Sequence, residues 1–186
     1  MRLRFPLRVL KSVCRRAHAT GERYIAVLVK FNVSELKESD LSMMDARLFA
    51  RAFVEAGADL LVPSGGHVMV NGLHMLRGGR PLREMAISQQ NMLKRWVIIL
   101  GGKYFVKKEA FREAFFRERT ISVMLGAGVP LSKVCLVGGV HDIRSADCAV
   151  RYDGFLSVQL GRVLLADLDW CWKVGVIGQP RQSIDN

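Results

Sequence analysis

Cysteine is scarce in this chain, and its spacing excludes two classes of site. The 186 residues include Cys14, Cys135, Cys148 and Cys171, and none of these forms a CxxC pair. Disulfide frameworks and structural zinc sites use closely and regularly spaced cysteines, so neither is expected. The four histidines are equally scattered along the chain. We therefore expect reduced cysteines that serve packing, and no metal site.

Long hydrophobic runs and acidic residues are also in short supply. No uninterrupted apolar run reaches the ~18 residues that a membrane span needs, so no membrane span is expected. Asp and Glu number 17 against 28 Lys and Arg, which gives a net charge of +11. This balance favours an anionic partner such as nucleic acid, an acidic membrane surface or a phosphorylated cofactor; a fragment that lacks its compensating acidic part would show it equally. The chain has no aromatic-rich basic motif of a nucleic-acid module, so nucleic acid is not the expected partner.

The N-terminal segment has two interpretations. Six basic residues precede the first acidic one: Arg2, Arg4, Arg8, Lys11, Arg15 and Arg16. Such a segment is typical of a mitochondrial presequence. Its apolar residues nevertheless recur at helical spacing, which predicts an amphipathic helix of the fold. We favour the helix and a cytoplasmic protein, with mitochondrial targeting as the alternative.

Helical and strand patterns alternate along the chain, as in a parallel α/β fold. Strands are predicted at 24–31, 59–62, 134–137 and 155–160, and helices at about 40–56, 109–125, 143–150 and 170–174. Asp40 or Ser42 is the expected cap of the 40–56 helix, and Gly57 its stop. The apolar face of that helix is expected to carry Met44, Leu48 and Ala52. The pattern is typical of half a (β/α)8 barrel or of a small open doubly wound sheet.

Between residues 67 and 108 the pattern loosens. Gly72, Gly78, Gly79 and Pro81 indicate an extended loop, and loops of this length usually form lids or functional insertions. The apolar run 96–100 lies just before Gly101. We expect it to pack over the sheet, with a position at a membrane surface as the alternative.

Two strand ends carry the residues best suited to bind phosphate. Gly138 and Gly139 follow one predicted strand, and Gly161 and Arg162 follow the next. Glycine lets backbone N–H groups approach an anion, and Arg adds charge and several donors. Glycine after a strand is more often only a turn. In (β/α)8 barrels, however, the loops after strands seven and eight frequently form a phosphate site.

Lys30 is a further candidate because it follows an apolar, strand-like run. A charge at that position needs a partner at the mouth of the strand. The alternative is a lysine whose ammonium group extends into solvent. If the strand continues, Asn32 lies on the same side as Lys30.

Taken together, these segments resemble the old yellow enzyme and NADH:flavin oxidoreductase family, whose members are FMN-dependent (β/α)8 (TIM) barrels. The resemblance covers residues 2–175 and rests on segments in a consistent order: 2–10, Val29-Lys30-Phe31-Asn32, 55–61 with Ser64-Gly65-Gly66, Arg77-Gly78 with Pro81, 113–116, Val137-Gly138-Gly139, and Leu160-Gly161-Arg162 with Ala166-Asp167. It implies a domain at 1–186 that corresponds to strands five to eight of the barrel with their helices, and a long loop insertion at about 67–108.

The resemblance also assigns roles. Gly138, Gly139, Gly161 and Arg162 would hold the FMN phosphate, and Lys30 would lie against the pyrimidine side of the flavin. Members of the family use NAD(P)H to reduce FMN, which passes hydride to an activated alkene or a similar small-molecule acceptor. Pro63 and Leu168 depart from the family pattern.

The family's first four strands have no counterpart in this sequence. Those strands carry its His/Asn substrate ligands and its proton-donating tyrosine, so no catalytic residue can be assigned here. We therefore expect part of a flavoprotein that is completed by a complementary half-barrel or by a second copy; an incomplete gene product or a pseudoenzyme, inactive alone, is the alternative. The alternative function is a non-catalytic basic module that binds phosphate groups or nucleic acid.

Overall fold

The computed structural model describes residues 3–19, 25–34, 42–66, 77–79, 81–105 and 110–173. In chain order, the elements within these residues are α1 (Arg4–His18), β1 (Leu28–Ser34), α2 (Met43–Glu55), β2 (Leu60–Gly65), α3 (Leu82–Ile87), α4 (Met92–Phe105), α5 (Arg117–Ala127), a 3-10 turn (Leu131–Lys133), β3 (Cys135–Val137), α6 (Ile143–Arg151), β4 (Ser157–Gln159) and α7 (Arg162–Ala166). The expected α/β class is confirmed.

The four strands are parallel and follow one another in space as they do in sequence. β1 pairs with β2, and β3 pairs with β4. A single parallel bridge between Leu61 and Val134 connects the two pairs. Within the described residues the strands form an open array in the order β1-β2-β3-β4 and do not close into a barrel.

Successive strand residues point to two different surroundings. Val33, Leu61 and Leu136 are fully buried in one core with side chains of α1, α2, α5 and α6. Val62, Cys135 and Val137 belong to a separate, small apolar cluster. Because side chains alternate across a strand, these helices cover one face of the strands and the small cluster lies on the other.

Local sequence signals explain the boundaries of α2. The Ser42 hydroxyl accepts a hydrogen bond of 3.0 Å from the Asp45 backbone N–H, and the Asp45 carboxylate accepts one from the Ser42 N–H, a capping box. At the other end Gly57 has a φ of 104°, and the Ala58 N–H donates to the Phe53 carbonyl. Ser42 as cap and Gly57 as stop are confirmed. Asp40 lies outside the described residues.

The predicted apolar face of α2 was wrong. Met44 and Leu48 are 72% and 56% exposed, whereas Ala46, Ala50 and Phe53 are buried. The buried face is set by the close approach of α5, where the Arg51 guanidinium donates to the Ala127 carbonyl at 3.1 Å. Small alanines permit that approach, so they occupy the interface while larger apolar residues face outward.

The predicted loop at 67–108 was wrong in part, because α3 and α4 form within it. Residues 67–76, 80 and 106–108 of that segment lie outside the described residues. The helix predicted at 109–125 begins only at Arg117. Ala114 has a φ of 46° and donates its N–H to the Gly139 carbonyl at 3.0 Å, which is incompatible with continuous helix through that residue.

The remaining elements lie near their predicted positions. The predicted 143–150 helix is α6, and the amphipathic N-terminal helix is α1, with Leu10 and Cys14 buried. β1 extends beyond Lys30 to Ser34, and β4 is shorter than predicted. None of the helices in the described ranges is long and apolar enough to cross a membrane.

Candidate functional site

A cleft with a volume of about 670 Å³ lies at the carboxyl ends of β3 and β4. Its lining includes four of the five residues predicted to bind cofactor: Gly138, Gly139, Gly161 and Arg162. The first two directly follow β3, and the other two follow β4 by one residue. The parallel pairing of β3 with β4, with Val137 opposite Gln159, brings the two strand ends side by side.

The loop after β3 is held in place by two other segments of the chain. The Glu113 carboxylate accepts hydrogen bonds from the backbone N–H groups of His141, at 2.6 Å, and of Asp142, at 3.0 Å. The indole N–H of Trp170 donates to the His141 carbonyl at 3.0 Å. With the bond from the Ala114 N–H to the Gly139 carbonyl, these contacts hold the loop at Gly139 and at His141 and Asp142.

Gly138 and Gly139 are required by packing. Both have positive φ, at 108° and 75°. A Cβ on Gly138 would lie 2.5 Å from Phe116 Cδ2, and one on Gly139 would lie 2.5 Å from Phe115 Cδ1. The conformation and the two phenylalanine rings therefore account for both glycines without a ligand.

Gly161 has different surroundings. It precedes α7, and a Cβ placed on it would meet no other atom of the described residues within 4 Å. The space in front of its backbone is therefore open to the cleft. Arg162 follows it, is exposed, and brings a guanidinium group to the same rim.

Arg77 is a cleft residue to which the sequence analysis gave no role. It lines the cleft, and its guanidinium carbon lies 4.1 Å from the centroid of the Phe115 ring. Its Nε is buried and has no hydrogen-bond partner among the described residues. Arg77 lies sixty-one residues before Gly138 in the chain, so no local pattern could place the two together.

The charged side chains that line the cleft, among the described residues, are all cationic. Arg77 and Arg162 contribute cations, and no Asp or Glu of the described residues lines it. Asp167, which adjoins the lining residue Ala166, accepts a hydrogen bond of 2.6 Å from Lys173, and this bond lowers the pKa of Asp167 and raises the pKa of Lys173. Asp167 is thus compensated by Lys173, and Arg77 and Arg162 give the described lining its positive charge.

Lys30, the fifth predicted residue, does not line the cleft as far as the described residues define it. It lies within β1, is exposed, and stands opposite Val62. Because the array joins β2 to β3, Lys30 is separated from β3 by a whole strand. Asn32, on the same side of β1, donates its amide to the Gly66 carbonyl at 3.1 Å.

No group of three or more His, Cys, Asp or Glu residues in the described ranges could hold a metal ion. Cys14 and Cys135 are buried free thiols, whereas Cys171 is exposed. Burial, together with the nearby Asp59 carboxylate, raises the pKa of the Cys14 thiol, which donates to the Gly57 carbonyl at 3.2 Å. Cys14 is therefore a structural link between α1 and the end of α2.

Comparison with known proteins relates the chain to an oxidoreductase. No family model matches the chain. Over 168 residues it is 29% identical to the 4,4'-dithiodibutanoate disulfide reductase of Rhodococcus erythropolis. The match covers 89% of this chain and 39% of that protein, so the chain spans about two fifths of the length of this curated relative. The chain is thus a distant relative of part of an oxidoreductase.

Proposed function

We propose that this chain supplies the phosphate-binding part of an FMN-dependent oxidoreductase of the old yellow enzyme type. One observation carries the proposal: the ends of two adjacent parallel strands bring Gly138, Gly139, Gly161 and Arg162 into one cationic cleft. Parallel α/β folds bind their ligands at this edge. The relationship to an oxidoreductase supports a redox role.

The cleft residues fit a phosphate group. Arg77 has a buried Nε without a hydrogen-bond partner in the described part of the chain, and Arg162 lines the same cleft after the end of β4. Two guanidinium groups without a carboxylate in the lining favour a dianion. The open space beside Gly161 leaves its backbone accessible. The glycines after β3 shape the loop, and Gly161 is the glycine whose missing side chain serves the ligand.

FMN, when bound, supplies hydride transfer from NAD(P)H to an acceptor. In this proposal the chain's own residues bind and orient the phosphate end of that cofactor. Phe115 stacks against Arg77 and limits its movement. Glu113 and Trp170 hold the β3 loop in the position that the phosphate requires. Lys30 is assigned to the flavin ring by resemblance, and its place on β1 would require the ring to extend across the strands.

The open strand array supports a role as one part of a larger barrel. Four parallel strands follow in chain order without reversal, and the helices around their core cover one face. The face with Lys30 and Val137 would then point toward the barrel interior. β1 and β4 each have an edge that pairs with no described strand. A complementary half-barrel, or a second copy of this chain, would cover those edges.

The acceptor is proposed to be a small molecule that takes hydride at an activated double bond or at a disulfide. The name of the relative specifies a disulfide between two carboxylate-bearing arms. We include such disulfides beside activated alkenes as acceptor classes to test. The chain carries no assigned catalytic residue, so acceptor reduction is expected only when the missing part of the site is supplied.

A titration with FMN, riboflavin and AMP tests the cofactor assignment. Saturable quenching of flavin fluorescence is expected with FMN, with weaker binding of riboflavin, because riboflavin lacks the phosphate. Arg162→Ala is expected to weaken FMN binding roughly tenfold to a hundredfold, the loss of a hydrogen bond to a charged group. Arg8→Ala, an exposed position on α1 away from the cleft, is the matched control.

The same titration distinguishes the alternative function. Equal affinity for FMN and AMP, combined with steep loss of binding in salt, would indicate a general phosphate or nucleic-acid binder. Absence of any FMN binding, or equal binding of FMN and riboflavin, would contradict the proposed phosphate site.

A further inference from the structure

Helix α4 is apolar but is not part of the protein core. α3 is the described element against which it packs, and that contact is close, since a Cβ on the buried Gly102 would lie 2.9 Å from Leu82 Cδ2. We call α3 and α4 together the helical hairpin. In the described residues its large apolar side chains do not join the core formed by the strands and the other helices.

Most of the apolar surface of the hairpin faces outward. Leu93 and Leu100 are 74% and 66% exposed, and Trp96 is 55% exposed. Other large apolar residues of the hairpin are also exposed: Ile87, Met92, Val97, Ile99 and Tyr104. The sequence-based expectation that 96–100 packs over the sheet is therefore wrong. Contiguous exposed apolar surface of this kind marks an interaction site.

The charges of the hairpin identify the chemistry of its partner. α4 contains Lys94, Arg95 and Lys103 and no acidic residue. Lys94 and Lys103 are exposed, and Arg95 lies in the groove between α3 and α4 beside Arg83. This local charge has the same sign as the net charge of +11 of the chain. α3 contributes one exposed acidic residue, Glu84, so it is α4 that combines exposed apolar side chains with cations and no carboxylate.

A second copy of the hairpin is a poor partner for this surface. Face-to-face pairing would place Lys94 and Lys103 of both copies in one interface without a carboxylate of α4 to compensate them, and like charges in an interface are costly. An anionic lipid surface offers what the hairpin lacks, namely negative headgroups above an apolar layer. Trp96 and Tyr104 suit the boundary between headgroups and acyl chains.

We propose that the helical hairpin docks this protein on the surface of an anionic lipid bilayer, with α4 lying in the plane of the membrane. The apolar side chains around Trp96 enter the outermost acyl layer, and Lys94 and Lys103 contact the headgroups. The fourteen residues of α4 are too few to span the bilayer. No residue of α3 or α4 is among the described residues that line the cleft, so this proposal does not rest on flavin binding.

Co-sedimentation with vesicles tests the proposal. The chain is expected to bind vesicles of equal parts phosphatidylglycerol and phosphatidylcholine, and not pure phosphatidylcholine. Combining Lys94→Gln with Lys103→Gln should weaken binding about thirtyfold, since each cation near an anionic surface contributes a factor of about five. Lys133→Gln, at an exposed position elsewhere, should leave binding unchanged.

The apolar contribution needs a separate pair of variants. Leu93→Ser with Leu100→Ser should abolish binding, whereas Leu168→Ser, 86% exposed and outside the hairpin, should not. Far-ultraviolet circular dichroism checks that each variant keeps its fold. Brominated lipids should quench tryptophan fluorescence in the wild type but not in Trp96→Phe. Trp172→Phe is the matched control, because Trp172 is also exposed.

Three outcomes would overturn the proposal. Equal binding to both vesicle types would show that the cations of α4 do not contribute to binding. Unchanged vesicle binding by the Leu93→Ser, Leu100→Ser variant would show that the hairpin does not contact the membrane. Light scattering that shows a dimer dissociated by that same variant, without lipid affinity, would make a second copy the partner.

Discussion

The Glu113 carboxylate accepts a hydrogen bond of 2.6 Å from the backbone N–H of His141 and thereby fixes the loop after β3. It also accepts from the Asp142 N–H at 3.0 Å. Both donors lie near the end of a loop whose first residues, Gly138 and Gly139, line the cleft. The position of the proposed phosphate site thus depends on a side chain from a segment before α5.

Replacement of Glu113 by alanine should loosen this loop. Loss of a carboxylate that accepts from two backbone N–H groups is expected to cost about 1 kcal/mol in the free energy of unfolding, as for a lost helix cap. FMN affinity should fall with it. Urea denaturation and the flavin titration measure the two effects. Glu113→Gln keeps one carbonyl acceptor, so its stability and FMN affinity should lie between those of Glu113→Ala and the wild type. Wild-type stability and FMN affinity in Glu113→Ala would show that the loop is fixed by its other contacts.

Gly139 is expected to tolerate no side chain. In Gly139→Ala, a φ of 75° and a Cβ at 2.5 Å from Phe115 Cδ1 and 3.1 Å from the Arg112 carbonyl oxygen should cost roughly 2 kcal/mol or more. Gly79→Ala is the control, because a Cβ there meets no atom within 4 Å in the part of the chain that the structure describes. Thermal unfolding of both variants checks this. Equal melting temperatures would contradict the packing of Phe115 under the loop.

Arg77 should contribute to phosphate binding and not to flavin-ring binding. Arg77→Ala is expected to weaken FMN binding about tenfold or more, because a charged donor is lost, and to leave riboflavin binding nearly unchanged. Arg77→Lys should recover only part of the affinity, since an ammonium group lacks the planar guanidinium fork. Parallel fluorescence titrations with both flavins measure this. Equal losses for FMN and riboflavin would assign Arg77 to the ring or to folding alone.

Cys14 should be unreactive until the protein unfolds. The thiolate is the reactive form, and burial, together with the Asp59 carboxylate, raises the pKa of Cys14 above its ordinary value. Under native conditions a thiol reagent should modify the exposed Cys171 first. In a Cys171→Ala variant, only the slower modification of the other cysteines is measured. Adding Cys14→Ala to that variant shows how much of this modification occurs at Cys14. Rapid modification of Cys14 in the folded protein would contradict its burial.

The raised pKa of Cys14 also gives a sign to the pH dependence of stability. Its folded-state pKa lies above the unfolded value, so the folded state favours the protonated thiol. This contribution is complete below the unfolded-state pKa of about 8.5 and is lost as pH rises through the folded-state pKa. From about pH 8 to about pH 10 the free energy of unfolding should therefore fall less in Cys14→Ala than in the wild type. A steeper fall in the variant would contradict the direction of the shift.

The sequence predicted those features of the fold that depend on interactions within a few residues. Ser42 and Gly57 bound α2 through contacts within a few residues, and the strand-end glycines follow directly from the strands. Arg77 could not be assigned to the cleft, because its position depends on Phe115 and on a segment sixty residues away. Helix α4 was predicted as loop because its apolar residues surround the helix and leave no clear period for a sequence pattern to detect.

The two sides of α2 provide a last test, since sequence and structure disagree about which one is buried. Phe53 packs against Phe31 at a ring separation of 5.4 Å and is buried, whereas Leu48 is 56% exposed. Phe53→Ala should therefore cost about 3–5 kcal/mol in the free energy of unfolding, and Leu48→Ala less than about 0.5 kcal/mol. Urea denaturation compares them directly. A large loss at Leu48 would mean that a partner covers that side of α2, because no described residue buries it.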